Sequence, residues 1–285
     1  MTSRVATVMT HRRGDETGPA MRELIAAARA AGWTLRFDPD ETRKHGLQAG
    51  PGIDVDVPRP HDDCDLAIVL GGDGTILSAL REFADTKIPV FGVNFGQIGF
   101  LATIDPDGDG GAFERAFTGA YDVIDLPSIT AARGEARWTA FNDVSLHRKA
   151  GMRVADLSYA LGGEEIGRVR CDGLVVAAPQ GSTGYNLANG GPVLAWGVEG
   201  FVVSFIAPHS FTARPLVVAP TDAVTITNAS REEPVELHAD GRPAAEIAPG
   251  EDLTVEFGRS RGRLAQTPGA TFYHRLRERF GRLAT

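Results

Sequence analysis

The sequence predicts an α/β domain followed by an all-β domain, and three observations carry that expectation. Apolar strand-like runs alternate with helix-compatible segments over the first third of the chain. From about Tyr121 onward, short strand runs crowd together with turn residues between them. The most apolar of the early runs ends in a glycine-rich turn that leads into a helix.

In chain order, residues 4–9 read as a strand and residues 20–31 as an Ala-rich amphipathic helix closed by Gly32, a residue suited to a left-handed C-cap. Residues 33–37 form a second strand. Residues 38–60 are rich in Pro, Gly and charge and read as a long mobile loop. Leu66, Ala67, Ile68, Val69 and Leu70 make a third strand, followed by Gly71-Gly72-Asp73-Gly74-Thr75, a helix over 76–83 and a fourth strand over 88–93. Continuous apolar strands in this order indicate a parallel sheet with helices on its faces. Further strands are expected at 138–141, 154–161, 165–169, 173–178, 201–206, 215–218, 224–228, 235–239 and 253–257, with Gly162-Gly163, Asp240-Gly241 and Pro249-Gly250 as turns. That spacing is antiparallel in character. A helix over 271–282 closes the chain. The expected division is 1–125 for the α/β domain and 126–267 for the β domain, with the helical segment 268–285 packing back on the first. There is no long internal repeat.

Composition narrows the function. A chain of 285 residues can bury a large core, and 42% apolar with 23% charged residues is ordinary for a soluble globular protein. The net charge of −8, from 29 basic and 37 acidic residues, argues against nucleic acid or an anionic membrane as the main partner. Two cysteines, Cys64 and Cys171, make no disulfide framework, and the His and Cys spacings make no zinc site. The expected setting is the cytoplasm, without signal peptide or membrane span.

The turn at Gly71 to Thr75 carries the most chemistry. Residues without side chains let backbone N–H groups face an anion, and a helix N-terminus adds partial positive charge. Asp73 in its centre would repel phosphate, so the turn is expected to remove a proton or hold a metal ion as well. It is neither a P-loop nor G-x-G-x-x-G. A plain Gly/Asp turn is the competing reading.

Downstream, Asp172-Gly173, Gly181-Ser182-Thr183-Gly184-Tyr185-Asn186 and Gly190-Gly191-Pro192 combine close backbone approach with small hydrogen-bonding groups and an aromatic face for a purine or nicotinamide ring. Asn142-Asp143 could read a ribose diol, although an Asx-turn explains the pair on its own. Asp240-Gly241 is foremost a hairpin signal. Gly96-Gln97-Ile98-Gly99-Phe100 is as well explained by a strand-to-helix connection. Arg170 could neutralise a phosphate. His147 and His209 show no acid or base partner and receive no chemistry. Ligands of open α/β sheets sit at the carboxyl ends of the strands, so a cleft between the two domains is the expected site.

Taken in order, Gly71 to Thr75, Gly96 to Phe100, Asn142-Asp143, Asp172-Gly173, Gly181 to Tyr185, Gly190 to Pro192, Pro208-His209-Ser210 with Ala213-Arg214-Pro215, and Asp240-Gly241 make the chain resemble the NAD kinases over most of its length. The first segment is shared with diacylglycerol-type lipid kinases; the later glycine-rich ones are more specific. The resemblance implies the NAD kinase fold, an N-terminal Rossmann-like parallel α/β domain and a C-terminal antiparallel β-sandwich-type domain. It implies transfer of the γ-phosphoryl group of Mg-ATP to the 2′-hydroxyl of the adenosine ribose of NAD, giving NADP. By that analogy Asp73 is the general base, with Gly71, Gly72, Gly74 and Thr75 on phosphates and Mg²⁺ bound through ATP. The dinucleotide would be held by Asp73, Gly74, Phe100, Asn142, Asp143, Arg170, Asp172, Thr183, Gly184, Tyr185, Asn186, Ala188, Ala207, Asp240 and Arg242. A homodimer or homotetramer is implied as well.

Departures from the usual pattern are Asp143 for Glu, Gln180 for Thr, Gly184 for Ala, Ala188 for Ser and Arg242 for Gln. Arg170 stands where an Arg accompanies ATP-specific members. A dinucleotide-binding regulatory module without catalysis and a lipid kinase sharing the turn are the rival readings. Retained Asp73 speaks against the first, and the polar stretch from Gly181 to Asn186 against the second.

Overall fold

The computed structural model describes residues 4–11, 13–95, 99–104 and 111–281. The chain divides into two compact units, one of Met1–Asp125 with Gly262–Thr285 and one of Leu126–Arg261.

The first unit is an α/β sheet. Its elements are β1 (Val5–Thr10), α1 (Gly14–Ala31), β2 (Thr34–Arg36), α2 (Pro39–His45), β3 (Ile53–Asp54), β4 (Leu66–Gly71), α3 (Asp73–Glu82), β5 (Val90–Asn94) and α4 (Ala112–Thr118). The strands lie in the order β5-β4-β1-β2-β3, all parallel. The chain runs from β1 to one side and then returns with β4 on the other, so the switch point lies between β1 and β4. β4 is buried along its whole length, which is why it reads as one apolar run. Leu24, Leu35, Phe37, Ile68, Leu70 and Phe91 centre the core.

Residues 38–60 are not the loop that their composition suggests. Asp38 caps α2 by accepting from the Glu41 N–H at 2.7 Å, Pro39 stands at the helix start, and Gly46 closes it in the left-handed region. Buried Glu41 accepts from the Thr10 N–H (2.9 Å) and hydroxyl (2.6 Å) and pairs with Lys44 at 2.6 Å, which fixes the helix to the end of β1. α1 also begins six residues before the expected start. Its first turn packs on α2, where a Cβ on Gly14 would stand 3.1 Å from Lys44 Cγ.

The second unit holds β6 (Asp122–Arg133), β7 (Ala136–Ala140), β8 (Asp143–Arg148), β9 (Ala155–Leu161), β10 (Glu164–Cys171), β11 (Gly173–Ala177), α5 (Tyr185–Ala188), β12 (Phe201–Ile206), β13 (Leu216–Val218), β14 (Ala223–Asn228), β15 (Val235–Ala239), β16 (Arg242–Ile247) and β17 (Asp252–Gln266). Two antiparallel sheets form it: β13-β12-β11-β8-β15-β16, and β10-β9-β14-β17 with β6 beside β17 and β7 beside β6. Leu146, Leu174, Val203 and Leu237 of the first sheet share one core with Leu157, Ile226 and Val255 of the second. The strands β6, β8 and β16 and most of β17 were not expected. β6 contains Pro127, β8 begins at Asp143, the second residue of a polar pair, and β16 and the distal part of β17 are short of β-branched residues. Pairing with neighbours, rather than local propensity, makes them strands.

From Gly262 onward β17 belongs to the first unit, where Leu264 pairs with Val90 in parallel. The closing helix α6 (Phe272–Phe280) is capped by Thr271, whose hydroxyl accepts from the His274 N–H at 3.1 Å. Among the described residues no helix is long and apolar enough to cross a membrane.

Candidate functional site

In the first unit, α3 begins at Asp73 itself, three residues before the expected helix start. Gly72 takes the cap position in extended backbone with no side-chain cap, and its carbonyl accepts from the N–H groups of Thr75 (2.9 Å) and Ile76 (3.2 Å). The Asp73 carboxylate is thus delivered in the first helical turn, at the carboxyl end of a central strand. Both of its oxygens are held: Phe100 N–H donates to one at 2.8 Å and Leu101 N–H to the other at 3.1 Å. Burial raises its pKa above the ordinary carboxylate value, against the opposing pull of those two N–H groups and then of Arg275 and Arg279. A raised carboxyl pKa makes the group a stronger base than an ordinary carboxylate.

The segment that grips Asp73 is itself gripped. Arg275 of α6 donates to the carbonyls of Phe100 (3.2 Å) and Ala102 (2.5 Å) and to Gln266, and Gln266 donates to the Leu101 carbonyl at 3.3 Å. Thr103 donates to the Ala265 carbonyl at 2.8 Å. The Phe100 ring is buried against Phe280 and Phe272, at 5.4 and 6.4 Å between centroids. Gly99 has no side chain for a plain reason: a Cβ there would stand 2.7 Å from Asp73 Oδ1. Gly96, Gln97 and Ile98 of the same motif lie outside the described residues. Gly71 is explained by packing too, since its Cβ would meet Thr75 Oγ1 at 2.6 Å, whereas Gly74 is exposed with open space around it.

In the second unit the structure gathers Asn142, Asp143 and Asp240. Asp240 sits in the left-handed region (φ 47°) at the β15–β16 hairpin, as its Asp-Gly pair suggests. Its carboxylate also accepts from the N–H groups of Phe141 (3.0 Å), Asn142 (2.6 Å) and Asp143 (3.3 Å), so it fixes the entry into β8. Asp143 is buried, and burial together with the Asp240 charge pushes its pKa up to about 7. Asn142 Oδ1 is buried with no hydrogen-bond partner among the described residues. Gly181 must be glycine, because a Cβ there would fall 1.9 Å from the Asn142 carbonyl.

Tyr185 opens α5 half-exposed, and its hydroxyl pKa is raised by burial and by the charges of Asp143 and Asp172. Asp172 is paired with Arg148 at 2.5 Å. Thr183 is half-buried and bonds the Gln180 carbonyl at 3.3 Å, while Gly184, Ala188, Ala207 and Arg242 are exposed.

Other residues of this stretch hold the loop together. Asn186 is fully buried, and its amide donates to the carbonyls of Ser182 and Pro192, both at 2.9 Å. Its Oδ1 fills the space where a Gly191 side chain would be. Ser182 is buried and spends its hydroxyl on the Pro179 carbonyl (2.6 Å) and the Leu194 N–H (2.9 Å). Gln180 is buried and donates to the carbonyls of Pro127 (2.6 Å) and Phe141. Arg170 lines a cavity of about 320 Å³ with Arg153, Asp156, Arg168, Ser230, Arg231 and Glu233.

Several contributors carry no signal at the level of single motifs. Leu101, Gln266 and Arg275 act through backbone groups and lie far apart in sequence. His147, which receives no chemistry from the sequence, lies near-parallel to Tyr185.

Comparison with known proteins completes the picture. Residues 41–121 match the model of the ATP-NAD kinase N-terminal domain, and residues 141–267 that of the ATP-NAD kinase C-terminal domain. The chain is 33% identical to the NAD kinase of Gemmatimonas aurantiaca over 280 residues, covering 96% of this chain and 94% of that one. It is 34% identical to the NAD kinase of Lachnoclostridium phytofermentans over 285 residues, covering 96% and 98%. In fold it is similar to yeast NADH kinase complexed with NADH, with a TM-score of 0.87 at 23% identity over 99% of this chain and 89% of that one. An NAD kinase from Archaeoglobus fulgidus in complex with ATP gives a TM-score of 0.74 at 23% identity, covering 98% and 97%.

Proposed function

This chain belongs to the NAD kinase family and is a phosphotransferase, and on that premise we propose that it phosphorylates the 2′-hydroxyl of the adenosine ribose of NAD with ATP, giving NADP, with Asp73 as general base. The observation that carries the proposal is the Asp73 carboxylate, set in the first turn of α3 and fixed through both oxygens by backbone N–H groups.

Phosphoryl transfer passes through a loose transition state and asks chiefly for alignment and charge neutralisation. A ribose hydroxyl placed in line needs little activation, so one carboxylate within hydrogen-bond reach suffices. Two N–H bonds lock the carboxylate plane and leave its remaining lone pairs for the hydroxyl proton. Gly72, Gly74 and Thr75, at the uncapped start of α3, are assigned to donor phosphate. Asn142, Asp143, Asp172, Thr183, Gly184, Tyr185, Ala188, Ala207, Asp240 and Arg242 are assigned to the dinucleotide. Asn186, by its burial and its bonds, is assigned to shaping the loop. Among the described residues no group of three or more His, Cys, Asp or Glu could hold a metal ion. In this reading Mg²⁺ is the companion of the donor triphosphate, where it would supply positive charge. Assembly into a dimer or tetramer belongs to the same proposal.

The test is direct. Purified protein incubated with Mg-ATP and NAD should form NADP, read with an NADP-specific dehydrogenase. Asp73→Asn should lower kcat by roughly 10²–10⁴-fold, the usual worth of a positioned base, with little change in NAD affinity. Undiminished turnover in that variant would remove Asp73 from the role. Tight NAD binding with no NADP formed by the wild type would favour the regulatory module.

A further inference from the structure

We infer that His147 is a positioning residue for the dinucleotide, the fixed floor on which Tyr185 is held flat to receive an aromatic ring of NAD. The inference rests on the reading of this unit as the NAD-binding one and names a residue to which that reading gives no part. Its ring lies near-parallel to Tyr185 and offset from it, at 5.6 Å between centroids and 12° between planes. Tyr185 remains 36% exposed, and among the described residues no other ring packs on it. His147 thus packs on Tyr185 as an offset, near-parallel ring, and the rest of the Tyr185 ring is open.

The floor is rigid for reasons that the sheet supplies. His147 lies on β8 between β11 and β15, so its backbone is held from both sides. Its Nε2 shares a hydrogen with Ser145 Oγ at 2.8 Å, two residues back on the same face. His238 of β15 closes the other side at 4.7 Å between ring centroids. Glu236 stands opposite His147 in the register and reaches His238 at 3.6 Å. Tyr185 itself comes from a helix of only four residues, with little of its own to fix a ring plane. A stacked ring that is already flat spares the ligand the cost of ordering it.

The role depends on the shape of the ring and not on its hydrogen bond, which separates it from a structural part played through Ser145. His147→Phe keeps a flat ring and loses the bond; His147→Gln keeps a polar partner for Ser145 and loses the ring; His147→Ala loses both. NAD affinity would be measured by calorimetry without ATP, beside kcat and KM for each substrate and a thermal melt of each variant. The expected result is that Ala and Gln weaken NAD binding about five-fold, in line with the worth of one aromatic contact. Phe should stay within about two-fold of wild type, with kcat and the KM for ATP nearly unchanged throughout. The inference is overturned if Gln binds like wild type while Phe does not, or if all variants that melt like wild type also bind like it. Should the Ala variant fail to fold, the contrast between Phe and Gln still decides. A wild type that binds no NAD would instead overturn the functional reading on which the inference rests.

Discussion

At the scale of single residues, the candidate base is positioned by what its neighbours lack. Gly99 leaves open the space that Asp73 Oδ1 occupies, 2.7 Å from where a Cβ would be. The carboxylate cannot simply step aside, because Phe100 and Leu101 hold it through backbone N–H groups and Arg275 holds the carbonyls of the same segment. Gly99→Ala should therefore push the carboxylate off its line rather than unfold the chain. We expect kcat to fall by about ten-fold or more, since in-line geometry contributes heavily to transfer, with the melting temperature within a few degrees of wild type. Steady-state kinetics beside a thermal melt checks this; an unaltered kcat would mean that the segment yields instead. The same residues show how far the site was legible. Asp73 stood out because a charge among glycines is chemically odd. Asn186 reads as a ligand-binding amide in sequence, and in the fold its NH2 group closes a loop against Ser182 and Pro192. Residue type gives the available chemistry, but burial decides whether it is already spent.

At the scale of elements, tertiary partners overrode local composition in both directions. The helix α2 was hidden in a segment dense in Pro, Gly and charge, although its signals were all present: Asp38 to cap, Pro39 to start, acidic residues in the first turn, basic residues in the last and Gly46 to stop. What composition could not show is that Glu41 turns inward onto Thr10. If the cap matters to α2 as drawn, Asp38→Ala should cost roughly 1 kcal/mol, read as a lower urea midpoint at unchanged m-value. A variant as stable as wild type would show that α2 is held by the Glu41 bonds alone. The buried strands β4, β12 and β15 were legible because burial on both faces or strict alternation writes itself into the sequence. The strands β6, β8 and β16 were not, since hydrogen bonds to neighbours hold them where their own residues express little preference.

At the scale of the whole molecule, the buried acids make stability and turnover respond to pH in opposite senses. Asp143 has its pKa pushed up to about 7, first by burial and then by Asp240, and that of Asp73 is also raised by burial. A carboxyl that holds its proton more tightly folded than unfolded adds stability in full below its unfolded value, here 3.8, and loses it as pH climbs through the folded value. For Asp143 that window runs from about 4 to about 7. His45 and His147 have pKa values lowered by burial, so their contribution is complete above 6.5 and is lost only as pH falls below it. Above neutrality, then, the ionised carboxylate is the one of these that weighs against the fold. Asp143→Asn, which cannot ionise, should match wild type most closely near pH 4.5 and exceed it in melting temperature by a margin that widens to pH 8. A margin constant with pH would mean that Asp143 does not titrate in this window. Turnover should rise as pH climbs above the ordinary carboxylate range, because Asp73, its pKa raised by burial, must be ionised to accept a proton. At saturating NAD the rise should persist in Asp143→Asn, whose substitution leaves Asp73 untouched. If the rise in kcat disappeared along with the pH dependence of stability, the proton would be passing to Asp143, and the assignment of the base would move with it.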